Sequence, residues 1–213
     1  MNVLLAHGSS YAAYAGQLER LAGQVSALLG EPVGTAYLSD ECLPEDAVVL
    51  PLLLGEGTHM RQDVPRLIER SNARLLPSLA GCADALAALV VEQMQQQSKR
   101  VQALFVVYRF TGFEKIVAAL YAQAKSFSCH GMATLHGCPR VADVLPVLQG
   151  TGKTLRPVVI QPMLLFAGHS LDECLKDVDG SDLRIMPPLA ELDGFAALLA
   201  DQFIAGTTDA ETC

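Results

Sequence analysis

The run "AVVLPLLLG", residues 47–55, decides the predicted fold of this 213-residue chain. Its apolar residues follow one another without the polar alternation that a half-solvated strand shows, a pattern typical of a parallel strand buried on both faces. A second run of the same kind, "RPVVIQPMLLFAG", covers residues 156–168. The sequence therefore predicts two buried parallel strands, each in a sheet with helices on both faces.

Strand-like and helix-like segments alternate around both runs. The segments "NVLLAH" and "VGTAYL" precede the first run, and "VQALFVVY" and "CHGMATL" precede the second. Between the members of each pair, residues 11–30 and 113–127 have apolar side chains at helical spacing. Strands that alternate with helices predict an α/β fold whose parallel strands are joined by right-handed crossovers.

The second half of the sequence repeats the first. "RLLPSLAGCADALAALVVEQ" begins at Arg74 and "RIMPPLAELDGFAALLADQ" begins at Arg184, an offset of 110 residues. The segments "PLLLGEGTH" and "PMLLFAGH" place His59 and His169 at the same offset. Apolar strand–helix units resemble each other by composition, but matched Arg, Pro and His at one offset indicate an internal duplication at domain scale.

The duplication predicts two similar lobes, each a parallel β-sheet flanked by helices. The polar segment "QMQQQSKR", residues 93–100, is the natural join between them. We therefore place an N-terminal α/β lobe at residues 1–96 and a C-terminal α/β lobe at residues 97–213.

Composition restricts the partners and the compartment. The net charge of −8 argues against a nucleic-acid partner, and no apolar run reaches the roughly 18–20 residues of a membrane span. The opening "MNVLLAHGSS" has the pattern of a strand rather than of a signal peptide. The six cysteines form no CxxC pairs and lack zinc-finger or iron–sulfur spacing. We expect a cytoplasmic protein with free thiols and no membrane partner.

Polar residues with metal-binding chemistry follow the predicted strands of the first half. His7 ends the first strand, Asp40 and Glu41 follow the second, and His59 follows the third. Ligands of open α/β sheets bind at the carboxyl ends of strands, and imidazole is a common nitrogen ligand of divalent transition metals. Each histidine alone also fits a turn residue bonded to backbone, and the loop of residues 8–10 also fits an anion-binding helix N-terminus. The residues alone leave these alternatives open.

Motifs for nucleotides and for hydrolytic nucleophiles are absent from the sequence. "HGSS" is not a phosphate-binding loop, and "GTGKT", residues 150–154, lacks the four-residue spacer after its first glycine. No G-x-S-x-G segment occurs. We therefore expect no nucleotide cofactor, and a hydrolase has little support.

Three segments of the first half resemble a known enzyme family. "LLAHGSS", "YLSDECLP" and "VLPLLLGEGTHMRQDVPRLIE", within residues 2–70, resemble the class II tetrapyrrole chelatases of the CbiX type. In the second half, "LHGCP" followed by "QPMLLFAGH" resembles the CbiK type more weakly. The resemblance implies a two-lobed chelatase fold and a lyase activity, the ATP-independent insertion of a divalent metal into sirohydrochlorin for cobalamin or siroheme biosynthesis.

The resemblance also implies roles for individual residues. The two metal-binding and catalytic histidines of the family fall on His7 and His59, and its acidic position falls on Asp40 or Glu41. Asp63 matches the family's aspartate in the turn, and we expect it to cap the following helix. The metal would be a substrate, Co²⁺ or alternatively Fe²⁺ or Ni²⁺.

The second half departs from this pattern. Its strand-end histidine is replaced by Val107 or Tyr108, whereas His169 corresponds to His59. By this resemblance, His136 stands at the position where the CbiK-type enzymes have a glutamate. We expect one working metal site, in the N-terminal lobe, and leave open an accessory site formed by His136 and His169.

Binding of the polyanionic sirohydrochlorin requires local basic residues, because the chain carries a net charge of −8. We expect Arg61 and Arg109 to contact substrate carboxylates and Ser9 to bind an anionic group from its loop. Arg140 and Lys153 are weaker candidates of the same kind.

Two other functions fit the sequence. A degenerate protein of this fold would bind a tetrapyrrole or a metal without turnover, and a periplasmic-type metal or siderophore binder would also have two α/β lobes. The strand-like opening of the chain counts against the second of these. Because one chain carries both lobes, we expect a monomer, with a homodimer as the alternative.

Overall fold

The structure, a computed structural model of the chain, describes residues 1–97, 102–150, 157–176, 178 and 182–208. Its strands are β1 (Asn2–Ala6), β2 (Val33–Tyr37), β3 (Val48–Pro51), β4 (Arg74–Leu75), β5 (Gln102–Val107), β6 (His130–Thr134), β7 (Val158–Pro162) and β8 (Leu183–Ile185). In this part of the chain they form two four-stranded sheets with the orders β2-β1-β3-β4 and β6-β5-β7-β8. All neighbouring strands in these sheets are parallel.

Helices follow most of the strands, which confirms the predicted α/β fold with two similar sheets. They are α1 (Tyr14–Leu29), α2 (Val64–Ser71), α3 (Ala83–Gln97), α4 (Glu114–Gln123), α5 (Val141–Gln149), α6 (His169–Leu175) and α7 (Phe195–Thr208). A π-helical turn, His59–Asp63, leads directly into α2. Among the described residues, no helix has the length and apolar content needed to cross a membrane.

One inner strand of each sheet, β1 in the first and β5 in the second, is buried on both faces. Every side chain from Val3 to Ala6 in β1, and every side chain from Ala103 to Val107 in β5, is 0% exposed. Side chains alternate between the two faces of a strand, so complete burial requires packing on both sides of the sheet. The apolar runs 47–55 and 156–168 form the other inner strands, β3 and β7. β3 is buried from Val49 to Pro51 and β7 is buried along its whole length, as their composition predicts.

The described residues divide into two compact units. The first unit consists of Met1–Ala83 and the segment that begins at Gly194, and the second unit is Asp84–Asp193. Helix α7 therefore belongs with the first sheet, where it packs on α1, and nearly all of α3 belongs with the second. No pattern in the sequence predicts this exchange of helices. The division into lobes at residues 96 and 97 stays a prediction about the extent of the repeat.

Equivalent hydrogen bonds align the two sheets with each other. The first amide after β3 donates to the carbonyl of Leu5, and the first amide after β7 donates to the carbonyl of Val106, both at 2.8 Å. Leu5 thus corresponds to Val106, and His7, two places further on, corresponds to Tyr108. Of the two residues predicted to replace the strand-end histidine, the register selects Tyr108.

Candidate metal centre

The end of β1 carries His7 at the carboxyl edge of the first sheet. His7 directly follows the buried strand and is itself exposed. The next residue, Gly8, has a φ of 91°, a left-handed conformation that glycine adopts without the steric cost of a side chain. The end of the strand and the glycine turn together determine the position of the His7 imidazole.

The π-helical turn after β3 carries the second histidine. His59 is the first residue of this turn, and the amide of Val64 donates to its carbonyl. Single π turns within helices commonly occur at functional sites. Pro65 lies in the first helical turn of α2, where its missing N–H costs no hydrogen bond. The segment quoted around His59 in the sequence is therefore a loop that ends in a helix, as its glycines and proline predict.

The two histidines meet at this edge of the first sheet. The Nε2 atom of His7 lies 3.1 Å from the Nε2 atom of His59. Their ring centroids are 4.5 Å apart and their planes form an angle of 79°. Because β1 and β3 are neighbours in the sheet, their carboxyl ends bring together two residues that are 52 positions apart in sequence.

Both rings use their other nitrogen atom for a hydrogen bond. The Nδ1 atom of His7 lies 2.9 Å from the carbonyl oxygen of Gly8, and the Nδ1 atom of His59 lies 2.7 Å from Oδ2 of Asp63. A carbonyl and an ionised carboxylate can only accept hydrogen bonds, so each Nδ1 is the donor. In the neutral rings, the lone pairs of the two Nε2 atoms therefore face a common point.

This arrangement is suited to a shared cation. Two facing acceptor atoms repel each other unless a proton or a metal ion lies between them. A first-row divalent ion bonded to both Nε2 atoms at about 2.1 Å would subtend an N–metal–N angle of about 95° across this gap. That angle fits two adjacent ligands of a six-coordinate ion and leaves the remaining positions open.

Asp63 does not have the role that the sequence predicted for it. It occupies the N-cap position of α2, but no side-chain hydrogen bond caps this helix. Its carboxylate binds the imidazole of His59 instead, so the prediction of a helix cap is wrong. The reason is the π turn, because this turn places the carboxylate beside the ring four residues before it.

The predicted acidic residues lie in the turn after β2. The N–H of Tyr37 donates to Oδ2 of Asp40 at 2.8 Å, and the N–H of Asp40 donates to the carbonyl of Tyr37 at 3.0 Å. Asp40 thus closes its own turn, and Glu41 is exposed. Among the residues that the structure describes, no group of three or more His, Cys, Asp or Glu side chains could hold a metal. A catalytic role of Asp40 or Glu41 stays a prediction.

The residues predicted to bind substrate have different surroundings. The Oγ atom of Ser9 accepts a hydrogen bond from the N–H of Tyr11 at 3.1 Å. Arg61 is exposed within the π turn, two residues after His59. Arg109 belongs to the second unit, where its guanidinium carbon lies 5.1 Å from the centre of the Tyr108 ring. All three stay predicted contacts.

The weaker basic candidates, Arg140 and Lys153, also stay predicted substrate contacts. The N–H of Arg140 donates to Oδ2 of Asp143 at 2.8 Å, in a capping box at the start of α5. Lys153 lies outside the described residues.

The second unit has a different set of side chains at the corresponding edge of its sheet. The ring of Tyr108 meets the ring of His136 edge-on, with centroids 4.5 Å apart. The Nε2 atom of His136 lies 3.9 Å from Oε2 of Glu173, and His169 begins α6. A phenol thus takes the place of one imidazole of the first unit. The accessory metal site of His136 and His169 stays a prediction.

Sequence reasoning missed Tyr14, which supports the loop that carries His7. Burial raises the pKa of Tyr14, a hydrogen bond with the backbone of Gly8 lowers it, and the nearby Tyr37 raises it. The rings of Tyr14 and Tyr37 lie 6.4 Å apart. Nothing in the spacing of the tyrosines distinguishes Tyr14 from an ordinary apolar residue of an amphipathic helix, so the sequence carried no signal for this contact.

Comparisons with known proteins agree with this architecture. The model of the CbiX family matches residues 1–103. A solved structure described as CbiX, the terminal enzyme for biosynthesis of siroheme in denitrifying bacteria, matches with a TM-score of 0.75 and 20% identity. It covers 96% of this chain and 98% of that chain. No curated protein matches the sequence.

A second solved structure has the same fold. It is the sirohydrochlorin chelatase SirB from Bacillus subtilis subspecies spizizenii in complex with cobalt, with a TM-score of 0.70 and 14% identity over 96% of this chain and 92% of that chain. The predicted resemblance to the CbiX family and the predicted chelatase-like fold are therefore confirmed.

Proposed function

We propose that this protein is a sirohydrochlorin chelatase, a lyase that inserts a divalent metal into sirohydrochlorin without ATP. The observation that carries the proposal is the 3.1 Å approach of the Nε2 atoms of His7 and His59, each with its Nδ1 atom hydrogen-bonded. The match to the CbiX model over residues 1–103 and the likeness to a chelatase that was solved with cobalt support it.

The chemistry of insertion fits a pair of imidazoles. The free macrocycle carries two pyrrole N–H groups, and both protons must leave as the ion gains four nitrogen ligands from the ring. Imidazole can hold a divalent ion, and it can also accept a proton near neutral pH. Two protein ligands leave most coordination positions of the ion to water, and the macrocycle nitrogens can replace these waters one after another. A cage of thiolates would bind the ion too tightly to release it.

The exposure of the pair supports delivery of the ion to a second molecule. The side chain of His59 is 50% exposed, and His7 is also exposed. A structural metal site is usually closed, with four protein ligands, whereas a site that reacts keeps open positions. We assign metal binding and proton acceptance to His7 and His59, with Asp40 or Glu41 as an auxiliary acid or base, and contacts with substrate carboxylates to Arg61, Ser9 and Arg109.

The metal substrate that we propose is Co²⁺ or Fe²⁺. Nitrogen ligands accept Co²⁺, Fe²⁺ and Ni²⁺, and selection among these ions in cells depends on their supply. The product would enter cobalamin or siroheme biosynthesis. We expect the protein to work in the cytoplasm, as a monomer.

The test is an anaerobic insertion assay with the full chain, sirohydrochlorin and Co²⁺ or Fe²⁺, followed by absorbance. His7→Ala and His59→Ala should each reduce the insertion rate to that of the reaction without protein. His130→Ala is the matched control, because His130 lies in the second unit and its ring contacts that of Tyr121, with centroids 5.7 Å apart. Equal loss in the control variant would indicate general damage to the fold.

The competing function is non-catalytic binding of a tetrapyrrole or a metal, and the replacement of a histidine by Tyr108 in the second unit favours it. The same experiment separates the two functions. A wild-type protein that binds sirohydrochlorin, as shown by a shift of its absorbance, but never metallates it would be a binding protein. Accelerated insertion that depends on His7 and His59 would support the enzyme.

A further inference from the structure

The contact between Asp63 and His59 has a role beyond the folding of the turn. The Oδ2 atom of Asp63 lies 2.7 Å from Nδ1 of His59, which is short for a nitrogen–oxygen hydrogen bond and typical of one assisted by charge. We infer that Asp63 is a positioning residue that fixes the tautomer and the orientation of the His59 ring. The inference rests on the proposed function, because it assigns to the ring the task of presenting Nε2 to the metal substrate.

The carboxylate of Asp63 sets the position of the proton on the His59 ring. A neutral imidazole has one N–H, and the hydrogen bond that it donates determines which nitrogen carries the proton. The carboxylate of Asp63 accepts this bond at Nδ1, so Nε2 keeps its lone pair. With the proton on Nε2 instead, an N–H group would point at the place where His7 and His59 converge, and neither a metal nor an incoming proton could bind there.

The backbone of the π turn places the Asp63 carboxylate beside the His59 ring. In the π turn His59–Asp63, the amide of Val64 donates to the carbonyl of His59, five residues earlier. The carboxylate at the end of this turn stands at the N-cap position of α2 and yet caps no amide of the helix. An aspartate at an N-cap usually accepts a bond from the amide two or three residues later. The turn thus forgoes a stabilising contact of α2, and the carboxylate binds the ring.

Both halves of the internal repeat have the same spacing between a histidine and an acidic residue. Asp63 follows His59 by four residues, and Glu173 follows His169 by four residues at the corresponding place in the second half. The carboxylate of Glu173 lies 3.9 Å from the Nε2 atom of His136. An acidic side chain four residues after the histidine thus occurs in both copies. This recurrence favours an acidic residue that belonged to the unit before its duplication over one that lies beside the histidine by chance.

A simpler role for Asp63 is that of an exposed ion pair on one helical turn. The two side chains are 50% and 33% exposed, and pairs in water contribute little to stability. An ion pair of this kind acts through charge, so it influences folding and the attraction of a cation. A positioning residue acts through an acceptor atom and also fixes the tautomer of His59. The tautomer therefore separates the two roles.

The experiment compares Asp63→Ala, Asp63→Asn and a matched control, Glu69→Ala, which removes an exposed carboxylate from α2. Co²⁺ affinity is measured from the visible absorption of the bound ion. The tautomer of His59 is measured from ¹⁵N chemical shifts of the labelled metal-free protein, at a pH where the ring is neutral. Asp63→Ala should weaken Co²⁺ binding by about 10–100-fold, as loss of an outer partner of a metal-bound histidine does, and should move the His59 proton toward Nε2.

Asparagine removes the charge, and its amide can face the ring with an oxygen that accepts the Nδ1–H bond or with an NH₂ group that donates to Nδ1. In Asp63→Asn the wild-type tautomer and most of the Co²⁺ affinity should therefore be kept together or lost together, and Glu69→Ala should match wild type in both. The inference is overturned if Asp63→Ala binds Co²⁺ as tightly as wild type, if its tautomer does not change, or if wild-type His59 carries its proton on Nε2. The last measurement needs no variant, so it holds even if Asp63→Ala does not fold.

The same data separate this inference from the proposed function. If the wild-type protein fails to metallate sirohydrochlorin while Asp63→Ala changes the Co²⁺ affinity and the tautomer, then the chelatase proposal fails and the positioning role stands. If wild type metallates sirohydrochlorin and Asp63→Ala leaves both the affinity and the tautomer unchanged, then the positioning role alone fails.

Discussion

The Nε2 atoms of His7 and His59 lie 3.1 Å apart, although the residues are 52 positions apart in the chain. The contact depends on the order of the first sheet, in which β1 and β3 are direct neighbours. Each ring forms a hydrogen bond at its Nδ1 atom. In the neutral rings, the lone pairs of the two Nε2 atoms therefore face each other. We therefore expect the pair to act as one metal site with two ligands, and a metal titration tests this expectation directly.

The first prediction concerns the coupling of the two histidines. His7→Ala and His59→Ala should each weaken Co²⁺ binding by at least about 100-fold. This is the upper end of the loss in metal affinity that follows removal of a residue hydrogen-bonded to a metal ligand. The double variant should bind hardly more weakly than either single variant, because one remaining imidazole is already a poor site. Residues that share one ligand give non-additive losses of this kind.

Titration of Co²⁺ into the three variants checks this coupling, with His130→Ala as the control for removal of an imidazole elsewhere. Losses that add up in the double variant would show that each histidine binds its own ion. In that case the geometry of the pair would have no bearing on metal binding.

The second prediction concerns the glycine turn after β1. Gly8 has a φ of 91°, so Gly8→Ala should destabilise the fold by about 1–2 kcal/mol through backbone strain. An added Cβ would lie 3.6 Å from Cδ1 of Tyr37, an ordinary contact, so crowding is not the cause. The variant should also bind Co²⁺ more weakly, because the turn orients His7. Urea unfolding and a Co²⁺ titration measure the two effects.

Gly23→Ala is the matched control for this substitution. Gly23 lies in α1, and a Cβ there would meet no atom within 4 Å. Alanine in the interior of a helix stabilises it by about 0.5–1 kcal/mol relative to glycine. Gly23→Ala should therefore gain stability and keep its Co²⁺ affinity. A Gly8→Ala protein as stable as wild type would show that the turn tolerates a side chain.

The third prediction concerns Cys174, which is 2% exposed in the core of the second unit. Burial raises the pKa of its thiol from 9.0 to about 11. Because the folded pKa is raised, the stabilisation from the neutral thiol is complete below pH 9 and is lost as the pH rises toward about 11. The free energy of unfolding should fall more steeply over this range in wild type than in Cys174→Ala.

A thiol reagent provides an independent check on Cys174. Near pH 8 the exposed Cys42 and Cys138 should react rapidly, and Cys174 should react only after unfolding, because the thiolate is the reactive form. Rapid modification of Cys174 in the folded protein would contradict both the burial and the raised pKa.

The sequence predicted the parts of the site that depend on strand order. Apolar runs marked the buried strands, and the carboxyl ends of parallel strands share one edge of a sheet, so His7 and His59 were expected together. The contact of Asp63 with His59 depends on a π turn, and no periodicity in the sequence distinguishes a π turn from the start of an ordinary helix. The exchange of α3 and α7 between the two units was equally hidden, because both helices have the same apolar pattern.

The last prediction restores a ligand in the second unit. Tyr108 directly follows β5 as His7 follows β1, and His169 begins α6 at the place of His59. In a background that carries His7→Ala and His59→Ala, Tyr108→His should regain one Co²⁺ per chain, with a weaker affinity than the wild-type site. The imidazole would replace the phenol at the strand end, and His136, whose ring centroid lies 4.5 Å from that of Tyr108, offers a further nitrogen.

Tyr108→Phe in the same background is the control, because it removes the phenol without adding a ligand, and it should bind no Co²⁺. Equilibrium dialysis measures the number of ions bound, and the visible spectrum of bound Co²⁺ reports the nitrogen ligands. If Tyr108→His binds no ion, then the second unit differs from the first by more than the loss of one imidazole. That difference would lie in α6, where Glu173 lies 3.9 Å from His136, whereas in the first unit the carboxylate binds the histidine four residues before it.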